Sequence, residues 1–173
     1  MATRGGVEGA SVLEIGGGIG DLYLELLRRG ASTVTNLEIS TGYEVEAAEL
    51  LAHSGMATRV TRRLHDIAID PEAVEPADVV VLHRVVCCYA DYQRLLAAAA
   101  GHARRLLVFS HPPSTLISRA SFALDNLVRR LRRNNFRGFV HPPAAMYSVA
   151  EAEGLTRRLH RRGTFWDVAG FER

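Results

Sequence analysis

Val12-Leu13-Glu14-Ile15-Gly16-Gly17-Gly18-Ile19-Gly20-Asp21-Leu22 is the stretch that decides the fold. An apolar run of strand character ends in glycines, and an amphipathic segment begins at Asp21. Glycine reaches positive φ at no steric cost, so the backbone can turn sharply and let a ligand approach it closely. The helix that follows presents unpaired amides to the same turn. A ligand is therefore expected against this loop. Spacing narrows its kind. A dinucleotide fingerprint wants a third glycine after two intervening residues, but counting on from Gly18 that position is Asp21, and the pattern is G-x-G-x-G. A phosphate-binding P-loop needs Gly-Lys-Ser/Thr, and the chain has no lysine.

Outward from this unit, short apolar runs alternate with longer amphipathic segments, which marks an α/β fold. Strands are predicted at Ser11–Ile15, Thr33–Glu38, Arg59–Leu64, Val79–Leu82 and Leu106–Ser110, and helices at Asp21–Arg29, Tyr43–Ala52 and Asp91–Ala103. The prolines of His111-Pro112-Pro113-Ser114 are expected to start a further helix, with Leu116, Leu124, Leu127, Val128 and Leu131 on one face. His141-Pro142-Pro143 opens another, to Glu153, ended by Gly154. Leu155–His160 and Thr164–Phe171 read as an antiparallel strand pair. The expected architecture is a Rossmann-like, mostly parallel seven-stranded sheet with helices on both faces and that antiparallel pair at its C-terminal end.

At 173 residues and 47% hydrophobic, the chain can bury one sizeable core, and a single domain over residues 1–173 is expected. Net charge +2 demands no polyanionic partner, so nucleic acid is not implied. Five arginines between Val128 and Arg137 read as a solvated helix face, with contact to a membrane or an anionic substrate as the alternative. Cys87 and Cys88 are adjacent, which excludes a loop-closing disulfide and the usual spaced metal ligands; they are expected to be buried fillers. No metal site is expected. Asp70 and Asp78 look like cap or turn residues. With no leader-like segment and no apolar run of membrane-spanning length, a soluble, cytoplasmic protein is expected.

The stretch VLEIGGGIGDL resembles the first motif of class I S-adenosylmethionine-dependent methyltransferases. That resemblance implies S-adenosylmethionine as cofactor, held by the loop glycines Gly16, Gly17, Gly18 and Gly20. It implies that Glu14 orients the cofactor's amino group indirectly. Glu38, with Ile39 beside it, falls where the family keeps an acid for the ribose hydroxyls, and Asp66, beside Ile67, matches the acid that reads the adenine amino group. The order of motifs runs from Val12 to the terminal strand pair. More narrowly, LHRVVCCYADYQRLLAAAA and FRGFVHPPAA resemble bacterial small-molecule methyltransferases related to the magnesium-protoporphyrin methyltransferase family, although His83 stands where an acid often precedes the arginine.

Methyl transfer from a sulfonium needs chiefly alignment of the acceptor. Ligands of open α/β sheets lie at the carboxyl ends of the strands, which places His83, Arg84 and His111 nearest the reacting centre. His83 or His111 is a candidate base and Arg84 a candidate clamp for an acidic substrate, each weighed against a structural role at a strand end. Tyr89 and His141 are further candidates for the acceptor pocket. A small-molecule acceptor is the expected partner. Only about ten residues precede the first strand, so the acceptor site is expected to be open, to take a lid from a homodimer or another partner, or to belong to a shortened chain. The alternatives are a cofactor-binding but catalytically silent partner protein and a methyltransferase acting on RNA or protein, although the Asn/Asp-Pro-Pro-aromatic motif of amino-methylating enzymes is missing after the fourth strand.

Overall fold

Parallel strands cannot be joined by tight turns, so each pair needs a crossover; helices supply it except between the third and fourth strands, which a loop with one short 3-10 turn joins. The structure, a computed structural model, describes residues 6–173. The chain runs β1 (Ser11–Ile15), α1 (Asp21–Arg28), β2 (Thr33–Glu38), α2 (Glu44–Ser54), β3 (Val60–Leu64), β4 (Ala77–Leu82), α3 (Tyr92–Gly101), β5 (Ala103–His111), α4 (Leu116–Leu131), α5 (Pro143–Ala152), β6 (Thr156–Arg161) and β7 (Asp167–Glu172). One seven-stranded sheet has the order β3-β2-β1-β4-β5-β7-β6. The first five are parallel, and β7 runs antiparallel to both β5 and β6. The order reverses between β1 and β4, which opens a crevice at their carboxyl ends, the usual place for a ligand in such a sheet.

Alternation along β1 sends Val12 to one face and Leu13 to the other. Val12, Val34 and Val79 pack under α1 through Tyr23, Leu24 and Leu27. Leu13, Leu37, Val80, Leu82, Leu107 and Phe109 pack on the other face, with α3 and α5. The outer strand β6 is exposed along its whole length and carries Arg157, Arg158 and Arg161. Charges of that kind protect an open sheet edge from adding another strand.

The expected elements are present, with instructive shifts. β5 extends to His111, so the prolines after it lie outside the next helix. That helix starts at Leu116, where Thr115 Oγ1 accepts the Ser118 amide at 3.1 Å. Asp91 caps α3 in the same way, accepting the Arg94 amide at 3.2 Å. Asp78 is no cap: from within β4 it accepts both the amide and the hydroxyl of Ser11, at 2.9 and 2.8 Å, clamping β1 to β4. Those bonds hold its carboxyl below the usual range.

Helix α4 is mounted the opposite way from α1. No residue of α4 is buried. The half-buried positions are Ser118, Phe122, Asn126 and Arg129, which recur at helical spacing and mark the face that touches the body. Asn126 grips Gly138 at both ends, donating to its carbonyl at 2.8 Å and accepting its amide at 2.9 Å. Phe122 occupies the space that a side chain at Gly138 would need. Leu116, Ile117 and Leu131 point outward, 85%, 79% and 75% exposed, with Leu124 and Leu127 beside them.

Candidate functional site

The glycine loop is shaped by three positive φ angles, 71° at Gly16, 55° at Gly18 and 105° at Gly20, each in the region where a side chain strains the backbone. Gly20 caps α1. Gly17 has an ordinary φ but no room: a Cβ there would collide with Asn36 Nδ2 and Glu14 Oε2. The loop thus lies directly over a buried carboxylate. Above Gly18, by contrast, a Cβ would meet nothing within 4 Å, so that side of the loop is open.

Glu14 is buried and bonded to Asn36, whose Nδ2 donates to Glu14 Oε2 at 2.9 Å. Arg62 Nη1 donates to Asn36 Oδ1 at 2.6 Å, and its Nε and Nη2 both donate to Glu44 Oε1. Burial pushes the Glu14 carboxyl up to about 7, against the smaller opposing effects of Asn36 and Arg62. Asn36 and Arg62 escaped the sequence reading. The signal was there for Asn36, an amide among Val34, Thr35 and Leu37 within the second predicted strand, where a buried polar group needs a partner.

Glu38 ends β2 and is only 6% exposed. Its Oε1 accepts the amides of Ile39 and Ser40 at 2.8 and 2.9 Å, and its Oε2 accepts the Gly18 amide at 2.9 Å. The acid is therefore fixed against the loop by three backbone donors, with lone-pair capacity left on Oε2. Just past the neighbouring strand β3, Asp66 Oδ1 accepts the Ala68 amide at 3.0 Å, and Oδ2 accepts the Tyr89 hydroxyl at 2.8 Å. Gly16, Ile39, Ile67, Val85 and Tyr89 line a narrow slot beside Asp66. Tyr89, expected on the acceptor side, closes this slot instead. Burial first, then the bond to Asp66, pushes its hydroxyl up to about 12, so it stays a donor.

The residues fit the group that the sequence resemblance implies. A loop with open space above Gly18, a rigid acid beside it and an apolar slot ending in a second acid match a ligand that presents sugar hydroxyls at one end and the amino group of a flat base at the other. Among the described residues no cluster of three or more His, Cys, Asp or Glu is placed to hold a metal.

At the carboxyl end of β4, His83 and Arg84 are exposed. Arg84 takes φ 60°, and its amide donates to Ser110 Oγ at 2.8 Å. The same hydroxyl lies 3.3 Å from His83 Nδ1. The Arg84 guanidinium stacks 5.2 Å from the centroid of Trp166, on the loop before β7. Partial burial, then the neighbouring Arg84 charge, lowers the His83 pKa and so favours the neutral ring. His111, expected beside these two, is buried with both ring nitrogens engaged: Nδ1 lies 3.0 Å from the Pro112 carbonyl and Nε2 2.8 Å from the Tyr147 hydroxyl. A carbonyl can only accept, so Nδ1 carries the proton and Nε2 receives the Tyr147 hydroxyl. His141 is also buried; its Nε2 donates to the Tyr89 carbonyl at 3.0 Å and its ring stacks on Phe139. It braces the turn that carries Tyr89. Of the expected buried pair, Cys87 is buried but Cys88 is exposed, and both thiols lie against the Arg84 carbonyl.

Beyond β5 a groove of about 1150 Å³ opens between the start of α4, the start of α5 and the β6–β7 turn. Ile117, Phe122, Tyr147, His160 and Phe165 are among its walls.

Comparisons with known proteins bear on the fold and the family. Solved structures similar to the chain include an O-methyltransferase family protein from Burkholderia thailandensis, at 21% identity and TM-score 0.81, over 98% of this chain and 53% of that one. Magnesium protoporphyrin IX methyltransferase from Synechocystis PCC 6803 with bound SAH is similar at 22% identity and TM-score 0.75, over 96% and 75% of the two chains. An S-adenosylmethionine dependent methyltransferase from Mesorhizobium loti is similar at 14% identity and TM-score 0.74, over 98% and 93%. At such identities the likeness is one of fold, and the chain spans about half the length of the first of these proteins. No curated protein matches the sequence. A family model described as a methyltransferase domain matches residues 13–105, a stretch that runs from β1 into β5 and contains the glycine loop, Glu38, Asp66, His83 and Arg84. On that match over more than half of its length, the chain belongs to the methyltransferase-domain family.

Proposed function

We propose that the chain is a single-domain, cytoplasmic enzyme that transfers a methyl group from S-adenosylmethionine to a small-molecule acceptor. The observation that carries this reading is the pair of carboxylates, Glu38 and Asp66, at the ends of adjacent strands beside a glycine loop whose outer side is open. Glu38 would hold the ribose hydroxyls, Asp66 the adenine amino group, and Ile39, Ile67 and Val85 the faces of the base. Gly16, Gly17, Gly18 and Gly20 would bring the backbone against the rest of the cofactor, with Glu14 below them setting the loop. When bound, the cofactor supplies a methyl group on a sulfonium that is already a good leaving group. The protein's task is then to hold the acceptor in line at near-attack distance.

His83 suits the part of base for a hydroxyl acceptor. It is exposed at the end of β4, its lowered pKa favours the neutral form that a base needs, and Ser110 orients its Nδ1 side. Arg84, braced on Trp166, presents a fixed positive charge to an acidic acceptor. His111 has no free nitrogen and serves to join β5 to α5. No helix among the described residues is long and apolar enough to cross a membrane.

Titration calorimetry with S-adenosylmethionine and its demethylated product tests the reading, with NAD as control. The expected result is binding of both sulfur compounds, no binding of NAD, and loss of at least about tenfold in affinity in Glu38→Ala, the scale of a hydrogen bond to a charged group. No binding by the intact chain, or equal binding by a variant whose melting is unchanged, would sink the proposal.

A further inference from the structure

Beyond methyl transfer, we propose that α4 is a docking surface for an anionic lipid bilayer, lying flat in its headgroup region. The helix meets the protein through Ser118, Phe122, Asn126 and Arg129 and turns Leu116, Ile117, Leu124, Leu127 and Leu131 to the outside. At 100° per residue these five, with Ala120 and Val128, fall on one continuous face. Large apolar patches of this kind mark sites where something else binds.

Charge identifies the occupant. From Leu116 to Arg137 there are six arginines against Asp125 alone, whereas the rest of the chain has fifteen arginines against eighteen acids. The basic charge of a nearly neutral protein is thus gathered on α4, which exposes this apolar face, and on the six residues that follow it. Arg129 is already engaged, with Asp125 at 2.6 Å and with the ring of Phe136. Arg130 and Arg132 fall on either side of the apolar face and are exposed, so their stems can lie along it while their guanidinium groups reach phosphate. An apolar face flanked by arginines is the pattern of a helix that binds at the surface of anionic membranes. A second copy of the chain would bring two such arginine clusters against each other, which makes it the poorer occupant. Phe165, 77% exposed, lines the same groove as Ile117 and adds to the exposed apolar surface there.

The test is co-sedimentation of the whole chain with vesicles of phosphatidylcholine alone and of phosphatidylcholine containing about one-third phosphatidylglycerol, at low and high salt, together with sedimentation velocity of the free protein. Binding is expected only to the anionic vesicles and should weaken with salt. The double variant Ile117→Ser/Leu124→Ser should abolish it. Arg130→Gln and Arg132→Gln should each weaken it about fivefold, the effect of one basic residue near such a surface. All these side chains point outward, so melting temperatures should be unchanged; a lowered melting temperature in the serine variant leaves the arginine variants to decide. Absence of binding at low salt, or equal binding to both kinds of vesicle, would overturn the proposal. So would binding that survives every variant. A concentration-dependent dimer broken by the serine variant, with no vesicle binding, would assign the face to a second copy and overturn it as well.

Discussion

The crossover from β1 to α1 and the crossover from β5 to α4 are built from the same parts, a central strand, a loop at its carboxyl end and a strongly amphipathic helix, yet they end oppositely. α1 turns Tyr23, Leu24 and Leu27 into the core. α4 turns its leucines away from it and holds on through Phe122 and the pair of hydrogen bonds between Asn126 and Gly138. Periodicity dictates that a helix has an apolar face; it does not dictate which neighbour covers that face. On the α1 side, burial is also what gives the site its rigidity, because the helix starts at the last glycine of the loop. On the α4 side the helix is free to meet something other than the sheet.

The same substitution should therefore give different results in the two helices. Leu24→Ala is expected to destabilise the fold by about 3 kcal/mol, within the usual range for a fully buried leucine, as measured by chemical denaturation. A loss below about 1 kcal/mol would mean that α1 is not the anchored partner in the comparison. Next in size is the pH dependence set by Glu14. Its folded pKa of about 7 lies above the usual 4.5, so the native state keeps the proton longer than the unfolded one. Its contribution to stability is greatest below pH 4.5, declines as pH rises and is lost by about pH 7, a change on the order of 3 kcal/mol at most. Glu14→Gln should flatten that part of the stability profile; an unchanged slope would show that the carboxylate under the loop is better solvated than its burial implies.

A smaller effect concerns the slot. Tyr89→Phe removes the hydroxyl that stands on Asp66 and leaves the ring in place. Cofactor affinity measured by calorimetry should rise about fivefold, one net hydrogen bond no longer broken on binding. A fall instead would mean that the hydroxyl itself contacts the ligand. Smallest of all should be Leu124→Ala, within about 0.5 kcal/mol of the parent, because an outward side chain loses little. A large loss there would erase the contrast between the two helices.

The amino-terminal half was the more legible in sequence for a physical reason. Parallel strands end together, so an acid at the end of β2 and another just past β3 necessarily reach the mouth of the glycine loop. Ser11–Ile15 and Thr33–Glu38 match the observed strands residue for residue. His111 was harder to read. β5 runs on to that residue, and Tyr147 of α5 closes over it from 36 positions away, a contact that no local pattern encodes. Tyr89 lies on a short turn after β4, where its direction depends on His141 holding the carbonyl of that turn. The inversion of α4 left no mark beyond Asn126 itself, a polar residue whose partner comes twelve positions later.

The bonds that run from Glu44 through Arg62 and Asn36 to Glu14 give those four positions a shared evolutionary fate. An apolar residue at Asn36 would strand one guanidinium donor of Arg62 and leave the carboxylate of Glu14 with no side chain to share its proton or charge. Among descendants of this sequence the four should be inherited together or replaced together, and a lineage that has lost one is expected to carry its compensation at the next.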